Sequence, residues 1–484
     1  MSRDERRRRG LFALLLEGAE AHPDRVYRHG PEGAVSYQRM SEIARLVAGR
    51  LRRDERVSRR GVLAVCAGAP GPLLHLVWGG LASGTCLAFL PATRDPAEAR
   101  LSMRAVGAEA LATDVPGLAE TGCALPLEAL ADGRPRAGDA PAGPEPAGDG
   151  GRPAFLFATS GSTGEPKWVR LTHGRYLAAI EAVTPHEGLP HGDGQVIYLT
   201  PPLSHAYGMN RLLACALHGS AVALPAGGSP LGPAGELLSP WLSDVVTDVE
   251  GVPDLFAQMA RLAPRLDLPN LRHLGLGGGQ VDPQVVDRIA AGRPGLCYSV
   301  TYGMTEAPPF VSQKLFRPPY ACDRRSAGAV SPLYDVRIVD EAGRPAGPGV
   351  EGEIQVRGGC LAVPYLGEAG PRDGWFATGD VGCLGADREL RVIRRRSHFL
   401  KVRGFRISPE RIESVIGCLE GVADCRVSMR DGELVAEVVR GEVGVTEAAV
   451  LDYVAARLPA YCVPRRTAFV ERVPRTASGK VSRV

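Results

Sequence analysis

Thr159-Ser-Gly-Ser-Thr-Gly-Glu-Pro-Lys167 follows a strand-like apolar run, Ala154 to Ala158, and is the most polar glycine-rich stretch of the chain. Its hydroxyls and exposed backbone amides are donors with little steric cover, and Lys167 adds a positive charge. A polyphosphate needs such a set. The same composition also describes a flexible polar turn. The G-x-x-x-x-G-K-[ST] spacing of P-loop NTPases is absent. So is the G-x-S-x-G nucleophile elbow, because Ser160 stands two residues before Ser162.

Upstream, Gly61 to Cys66 reads as a buried strand, Pro72 to Leu81 as a helix and Thr85 to Leu90 as a strand. Strand, helix, strand marks a parallel α/β layer. The pattern recurs at Gln195–Thr200, Gly208–Leu217 and Ser220–Leu224. Between them, Ala131 to Arg152 is rich in Pro, Gly, Ala and Asp and is read as a surface loop without enough apolar surface to order itself. Residues 325 to 393 carry short strands such as Val336–Val339 and Glu353–Val356, which suggest a β-rich subdomain. Beyond Arg396, Ser408-Pro409 is a helix start. Helix 409–419, strands near 425–429 and 433–439, a helix from Thr446 to Leu458 and a strand near Thr467–Val473 make a compact α+β unit. The expected fold is therefore α/β plus α+β: a large domain over 1–395 and a small one over 396–484.

The 484 residues are 44% hydrophobic and 23% charged, which excludes a mostly disordered chain. Lys plus Arg is 57 against 54 for Asp plus Glu, so the net charge of +3 argues against a nucleic-acid partner. Eleven cysteines without a C-x-x-C pair fit buried thiols in a reducing compartment. No H-x-x-x-H zinc spacing occurs. Arg6 to Arg9 before Leu11–Leu16 reads as the basic start of an amphipathic helix, not a signal peptide. No apolar run reaches 18 residues, so no membrane partner is expected, and the location is expected to be cytoplasmic.

Five further segments carry chemistry. Leu274-Gly-Leu-Gly-Gly-Gly-Gln280 nearly matches G-x-G-x-x-G, but Gln280 breaks it and a dehydrogenase is discarded. Its glycines let a flat ligand approach the backbone, or make a tight turn. In Thr301-Tyr-Gly-Met-Thr-Glu306, Tyr302 offers a stacking face, Thr305 a hydroxyl and Glu306 a hard oxygen for magnesium. Thr378-Gly-Asp380 places an acid where a ribose diol could donate to it. Lys401-Val-Arg-Gly-Phe-Arg406 lies at the expected domain boundary. Pro474-Arg-Thr-Ala-Ser-Gly-Lys480 ends in a lysine that is either a swinging cation or one more solvated base.

Together and in this order the segments resemble the adenylate-forming superfamily: acyl- and aryl-CoA ligases, adenylation domains of non-ribosomal peptide synthetases, luciferases and amide bond synthetases. The likeness runs from about residue 12 to the C-terminus and includes Leu171-Thr-His173, Pro202-Leu-Ser-His-Ala-Tyr-Gly208, Ala327–Gly358 and Leu458–Pro464. The resemblance implies ATP and Mg²⁺ as cofactors and an acyl adenylate as intermediate. It gives Thr159, Ser160, Gly161, Ser162, Thr163, Gly164 and Lys167 to the phosphates. Gly278, Gly279, Tyr302 and Gly303 go to adenine, Thr305 to the α-phosphate and Glu306 to magnesium. Asp380 and Arg395 go to the ribose, and Lys480 to the transition state. After the small domain rotates, Lys401, Arg403 and Gly404 would serve the second step. Ser397 stands where the family carries its hinge acid or lysine.

His205 resembles the aromatic gate of acyl- and aryl-CoA ligases, although a structural histidine fits the loop too. With Gly277, Gly278 and Val300 it is expected to wall a flat slot for an aryl or heteroaryl carboxylate. The acceptor is expected to be CoA, with a free amine or a carrier protein as alternatives. A non-catalytic scaffold would have no use for Lys480.

Overall fold

The computed structural model describes residues 10–481 apart from 137–138, 140–149, 161–165, 184–191, 228, 321–322, 364, 369, 372, 396–399, 403–404, 408, 431–432, 442, 459–461 and 476–480. At 160, 401–402, 405–407 and 410–411 it describes backbone alone. A six-stranded sheet runs in the order Ala124–Pro126, Leu111–Thr113, Val62–Cys66, Cys86–Phe89, β1 (Pro153–Ser160), β2 (Pro166–Thr172). Its inner strands are parallel and nearly wholly apolar, as strands covered on both faces must be. The helix between two of them, Pro70–Ser83, begins with a proline in its first turn and stops at Gly84, whose φ of 76° only glycine adopts freely. β1 and β2 are antiparallel, with Thr159 opposite Lys167.

α1 (His173–Val183) leads into a second sheet of thirteen strands. Its centre is parallel: β3 (Val196–Leu199), β4 (Asp248–Gly251), β5 (His273–Gly277) and β6 (Cys297–Tyr302). α2 (Ala206–His218) follows β3, α3 (Pro253–Leu262) follows β4, and α4 (Pro283–Ala290) follows β5. β7 (Ser312–Phe316) pairs antiparallel with β6. Past it, Gly328–Val330 joins β7 to a run containing β8 (Phe376–Leu384) and β9 (Glu389–Arg395). The β-rich stretch from 325 to 393 thus has a small core of its own around Val336, Ile354 and Leu390, but it extends the large sheet and is not a separate one.

One expectation changes. Leu11 to Leu16 are all buried, packed with Trp78, Tyr176 and Met209, so this segment enters the core and is not amphipathic there. Most of Ala131–Arg152, read as a surface loop, lies outside the described residues. At its described positions Arg50 Nη1 bonds Asp132 Oδ1 at 2.9 Å and Nη2 bonds Asp139 Oδ2 at 2.6 Å.

The small C-terminal unit places Pro409–Gly417 and Glu447–Ala455 against three strands, Val422–Arg430, Glu433–Arg440 and Arg466–Phe469. Thr446 caps the second helix by accepting the Ala449 N–H at 3.2 Å. The last strand stops at Phe469, short of the expected Val473. Among the described residues no helix is long and apolar enough to cross a membrane. Most described cysteines are buried, and none of them is bridged.

Candidate active site

Open α/β sheets bind ligands outside the carboxyl ends of their parallel strands. There, β5 ends in the glycine run and β6 in Tyr302. The Tyr302 hydroxyl donates to Asp380 Oδ2 at 2.7 Å. Asp380 faces Arg395 across the β8–β9 pair, and Arg395 Nε lies 3.1 Å from its Oδ1. Arg395 also donates to the Thr378 carbonyl at 2.7 Å, and the Thr378 hydroxyl takes the Asp380 N–H at 3.0 Å. Burial first, and then the Asp380 charge, push the Tyr302 phenol far above its ordinary range, so it is a neutral donor. Three of the residues expected to hold the nucleoside therefore form one bonded cluster.

A second group joins the phosphate loop to the expected metal ligand. Lys167 Nζ lies 3.1 Å from Glu368 Oε1 and 4.8 Å from the centre of the Tyr365 ring. The Tyr365 hydroxyl donates to Glu306 Oε1 at 2.7 Å. Glu306 is buried, and its carbonyl takes the Ala362 N–H at 2.7 Å. Tyr365 thus spans Lys167 and Glu306, and no sequence signal flagged it or Glu368. Thr305 sits beside Glu306 in the same turn.

The glycine run is occupied on one side. A Cβ on Gly275 would lie 2.2 Å from the Glu250 carboxylate, and one on Gly277 would lie 2.7 Å from the Tyr207 ring. These glycines admit Glu250 and Tyr207, so the flat-ligand reading fails at Gly277. Gly278 has φ 75° and turns the chain, while a Cβ on Gly279 would meet Pro253 at 2.9 Å.

Next to the cluster lies a cavity lined by Ile180 and Val183 of α1, Tyr207, Asn210, Arg211 and Ala214 of α2, Thr301, Pro309, Phe310 and Gln313. Val300 is not on this wall. It packs with the core beneath α3 and α4, because alternate residues of a strand face opposite ways and Thr301 takes the cavity side. Nor does His205 line it; it is half-buried at the N-cap of α2. Gly303 backs onto Phe310, where a Cβ would lie 3.2 Å from its Cα, so the nucleoside loop and the cavity share a wall. A charged residue on the buried face of α2 and another in the buried strand β4 were the available signals for Arg211 and Glu250.

Ser160 is described by its backbone alone, and Gly161, Ser162, Thr163, Gly164, Ser397, Arg403, Gly404 and Lys480 lie outside the described residues. Lys401 is placed by its backbone, opposite Arg406 in a two-stranded ladder. Asp248, His273 and Ser299 line up with Oδ1–Nδ1 and Nε2–Oγ separations of 3.3 and 3.1 Å, but at 1–2% exposure Ser299 meets no substrate.

Fold and site together define an α/β enzyme in which the bonded Tyr302–Asp380–Arg395 cluster lies beside a small pocket. The chain belongs to the AMP-binding enzyme family: residues 15–366 match the family model, and residues 411–480 match that of the AMP-binding enzyme C-terminal domain. It is 34% identical over 342 residues to feruloyl-CoA synthase of Amycolatopsis sp, covering 68% of each chain. It is 29% identical over 351 residues to 4-coumarate--CoA ligase 2 of Oryza sativa subsp. japonica, covering 68% of this chain and 61% of the relative. These matches thus span about two thirds or less of the relatives' own length. The o-succinylbenzoate CoA synthetase of Bacillus subtilis, solved with its acyl-adenylate intermediate, superposes with a TM-score of 0.79 at 23% identity, covering 97% of this chain and 96% of that one. ATP-bound MatB from Rhodopseudomonas palustris gives 0.78 at 22%, covering 98% and 97%. At such identities the likeness is one of fold, a large α/β domain with a small C-terminal one.

Proposed function

We propose that this enzyme is an ATP-dependent, AMP-forming ligase that activates an aryl or heteroaryl carboxylic acid as its acyl adenylate and passes the acyl group to CoA. One observation carries the reading. Thr301 lines the cavity and the next residue, Tyr302, joins the Asp380–Arg395 cluster. An acid in the cavity and a nucleotide in the cleft would meet at the end of one strand. The names of the relatives, feruloyl and 4-coumarate, support an aryl acid, as do the Tyr207 and Phe310 walls.

Adenylation brings a carboxylate against a phosphate, so neutralising charge is the main task. Lys167 and the loop before it serve the β- and γ-phosphates. Asp380 presents its carboxylate to the ribose hydroxyls, and a carboxylate oxygen takes more than one hydrogen bond. Arg395 holds that carboxylate in place. Glu306 fits magnesium: it is one buried carboxylate, and magnesium takes one or two such ligands plus phosphate oxygens. No cluster of three or more acidic, histidine or cysteine residues occurs among the described residues, so Glu306 would hold the ion with the phosphates, where its charge offsets theirs. Lys480 bridges the two reacting anions; its compact charge on a flexible stem can enter and leave.

The division at 395/396, just after β9, is the hinge in this reading. Polar contacts tie the small unit to α3 and α4: Arg261 to the Val422 carbonyl at 2.5 Å, Arg288 to the Cys418 carbonyl at 3.1 Å, and Arg475 between Asp254 and Asp424. Such contacts suit an interface that is made and broken, and rotation would present residues 401–406 for the second step. Buried, unbridged cysteines support a cytoplasmic location.

The test is product analysis by mass spectrometry with ATP, magnesium, pooled aryl acids, CoA and a primary amine. A CoA thioester that needs Lys480 is expected. Amide formed equally well without CoA would replace CoA by an amine, and adenylate alone would point to a carrier protein.

A further inference from the structure

The acid cavity is not uniformly apolar. Ile180, Val183, Ala214 and Phe310 supply a greasy sleeve, but Arg211 and Gln313 also line it. Tyr207, Arg211 and Ala214 share one face of α2 by their spacing of four and three. Arg211 Nη2 lies 2.8 Å from Glu250 Oε1, with the two side chains 10% and 4% exposed. Glu250 Oε2 also accepts the Tyr207 hydroxyl at 2.9 Å. The pair is neutral as a unit. A second substrate carboxylate here would leave net negative charge in a site with little water, beside Glu250.

Gln313 sets a complementary demand. It faces Thr301 across the β6–β7 ladder, and its Nε2 donates to the Thr301 hydroxyl at 3.1 Å. A hydroxyl both donates and accepts, so either orientation of the amide leaves one of its terminal atoms unpaired; in the orientation observed this is Oε1, buried without a hydrogen-bond partner among the described residues. A hydrocarbon occupant would leave it so, while an O–H would satisfy it and could accept from the guanidinium in turn.

We propose that Gln313 and the Arg211–Glu250 pair are specificity determinants that select an acid bearing a neutral hydrogen-bonding substituent, a ring hydroxyl being the simplest, over both unsubstituted and dicarboxylic acids. This deepens the reading of the preceding section and rests on it. A site built to bond a hydroxyl rejects the analogue that lacks it, because its own polar groups are left unpaired. The expected discrimination is roughly ten- to a hundredfold in kcat/KM for adenylation.

The experiment compares benzoate, the three hydroxybenzoates, cinnamate, 4-hydroxycinnamate, terephthalate and hexanoate in acid-dependent ATP–pyrophosphate exchange, with thermal-shift binding of the same acids run in parallel. One hydroxylated acid should exceed its unsubstituted parent by at least tenfold, and Gln313→Leu should bring that ratio towards one. The double variant Arg211→Met/Glu250→Gln, which removes both charges of the pair, should do the same. Equal rates for hydroxylated and parent acids would overturn the proposal. So would a preference for terephthalate, or a ratio unmoved in a folded Gln313→Leu protein. If no acid supports exchange, yet hydroxylated acids stabilise the wild type more than Gln313→Leu, the ligase reading falls and the pocket assignment stands. If neither assay responds to a hydroxylated acid, both fall.

Discussion

Gly277→Ala should damage acid binding while leaving nucleotide binding almost untouched. The new Cβ would sit 2.7 Å from Tyr207 Cζ, 2.8 Å from Cε1 and 2.9 Å from the hydroxyl oxygen. Ordinary carbon contacts are about 3.5–4 Å, so the ring must retreat by about 1 Å. Tyr207 is not free to do so. Its hydroxyl donates to Glu250 Oε2 at 2.9 Å and lies 3.2 Å from the Gly275 carbonyl. Retreat from β5 carries the ring towards the acid cavity that Tyr207 lines. Overpacking costs about 1–3 kcal/mol, and weakening a hydrogen bond to a charged group about 1.5–3 kcal/mol. The two overlap, so the loss of stability should be roughly 2–4 kcal/mol. Acid kcat/KM should fall at least about tenfold, with the KM for ATP within about twofold of wild type. The assays are denaturant unfolding and adenylation kinetics with each substrate varied. Adding Tyr207→Ala should relieve the clash, so that the double variant loses less than the sum of the singles. Wild-type stability and acid KM in Gly277→Ala would refute the packing argument.

Other outcomes follow from the same geometry. Asp380→Ala removes the acceptor shared by Tyr302 and Arg395 and should raise the KM for ATP about ten- to a hundredfold, with little change in acid KM. Lys480→Ala should slow adenylation by about 10²- to 10³-fold without weakening ATP binding comparably, which rapid-quench kinetics would separate. Stability should also depend on His173. It is 2% exposed, its Nδ1 accepts the Leu11 N–H at 3.3 Å, and burial and then nearby Arg152 push its pKa from 6.5 down to about 4. The unfolded chain binds this proton below about 6.5 and the folded one only below about 4. The contribution is therefore complete above pH 6.5 and is lost as pH falls through that window, by about 3 kcal/mol in all. Unfolding at pH 7 and pH 4.5 should show a smaller pH dependence in His173→Gln, and an identical dependence would exclude the assignment.

The parallel layers were legible because strands such as Val62–Cys66 are apolar on both faces, and their helices carry Pro and Gly at the ends. Tyr302 and Asp380 stood out as polar residues in short motifs, whereas Arg395 was singled out only by the resemblance; the structure bonds the three together. The acid pocket was read less well. Gly277 looked open because the sequence does not show that Tyr207, seventy residues earlier, fills the space. Val300 was placed on the wrong face because the register of β6 is set by its neighbours β5 and β7, not by its own composition. Tyr365 carries no local signal. Its role comes from the Leu366 N–H bond to the Trp168 carbonyl, at 2.9 Å, which brings that loop beside β2. Leu11–Leu16 misled for a related reason, since a short apolar run is buried all round only when other elements surround it.

The central claim is that the Tyr302–Asp380–Arg395 cleft and the adjoining cavity together make an acyl adenylate. Acid-dependent exchange of labelled pyrophosphate into ATP tests this without regard to the acceptor. Exchange should require both an aryl acid and magnesium, and should be lost in Lys480→Ala and strongly reduced in Asp380→Ala. Absence of acid-dependent exchange across a broad acid panel, from a folded protein that binds ATP, would contradict it.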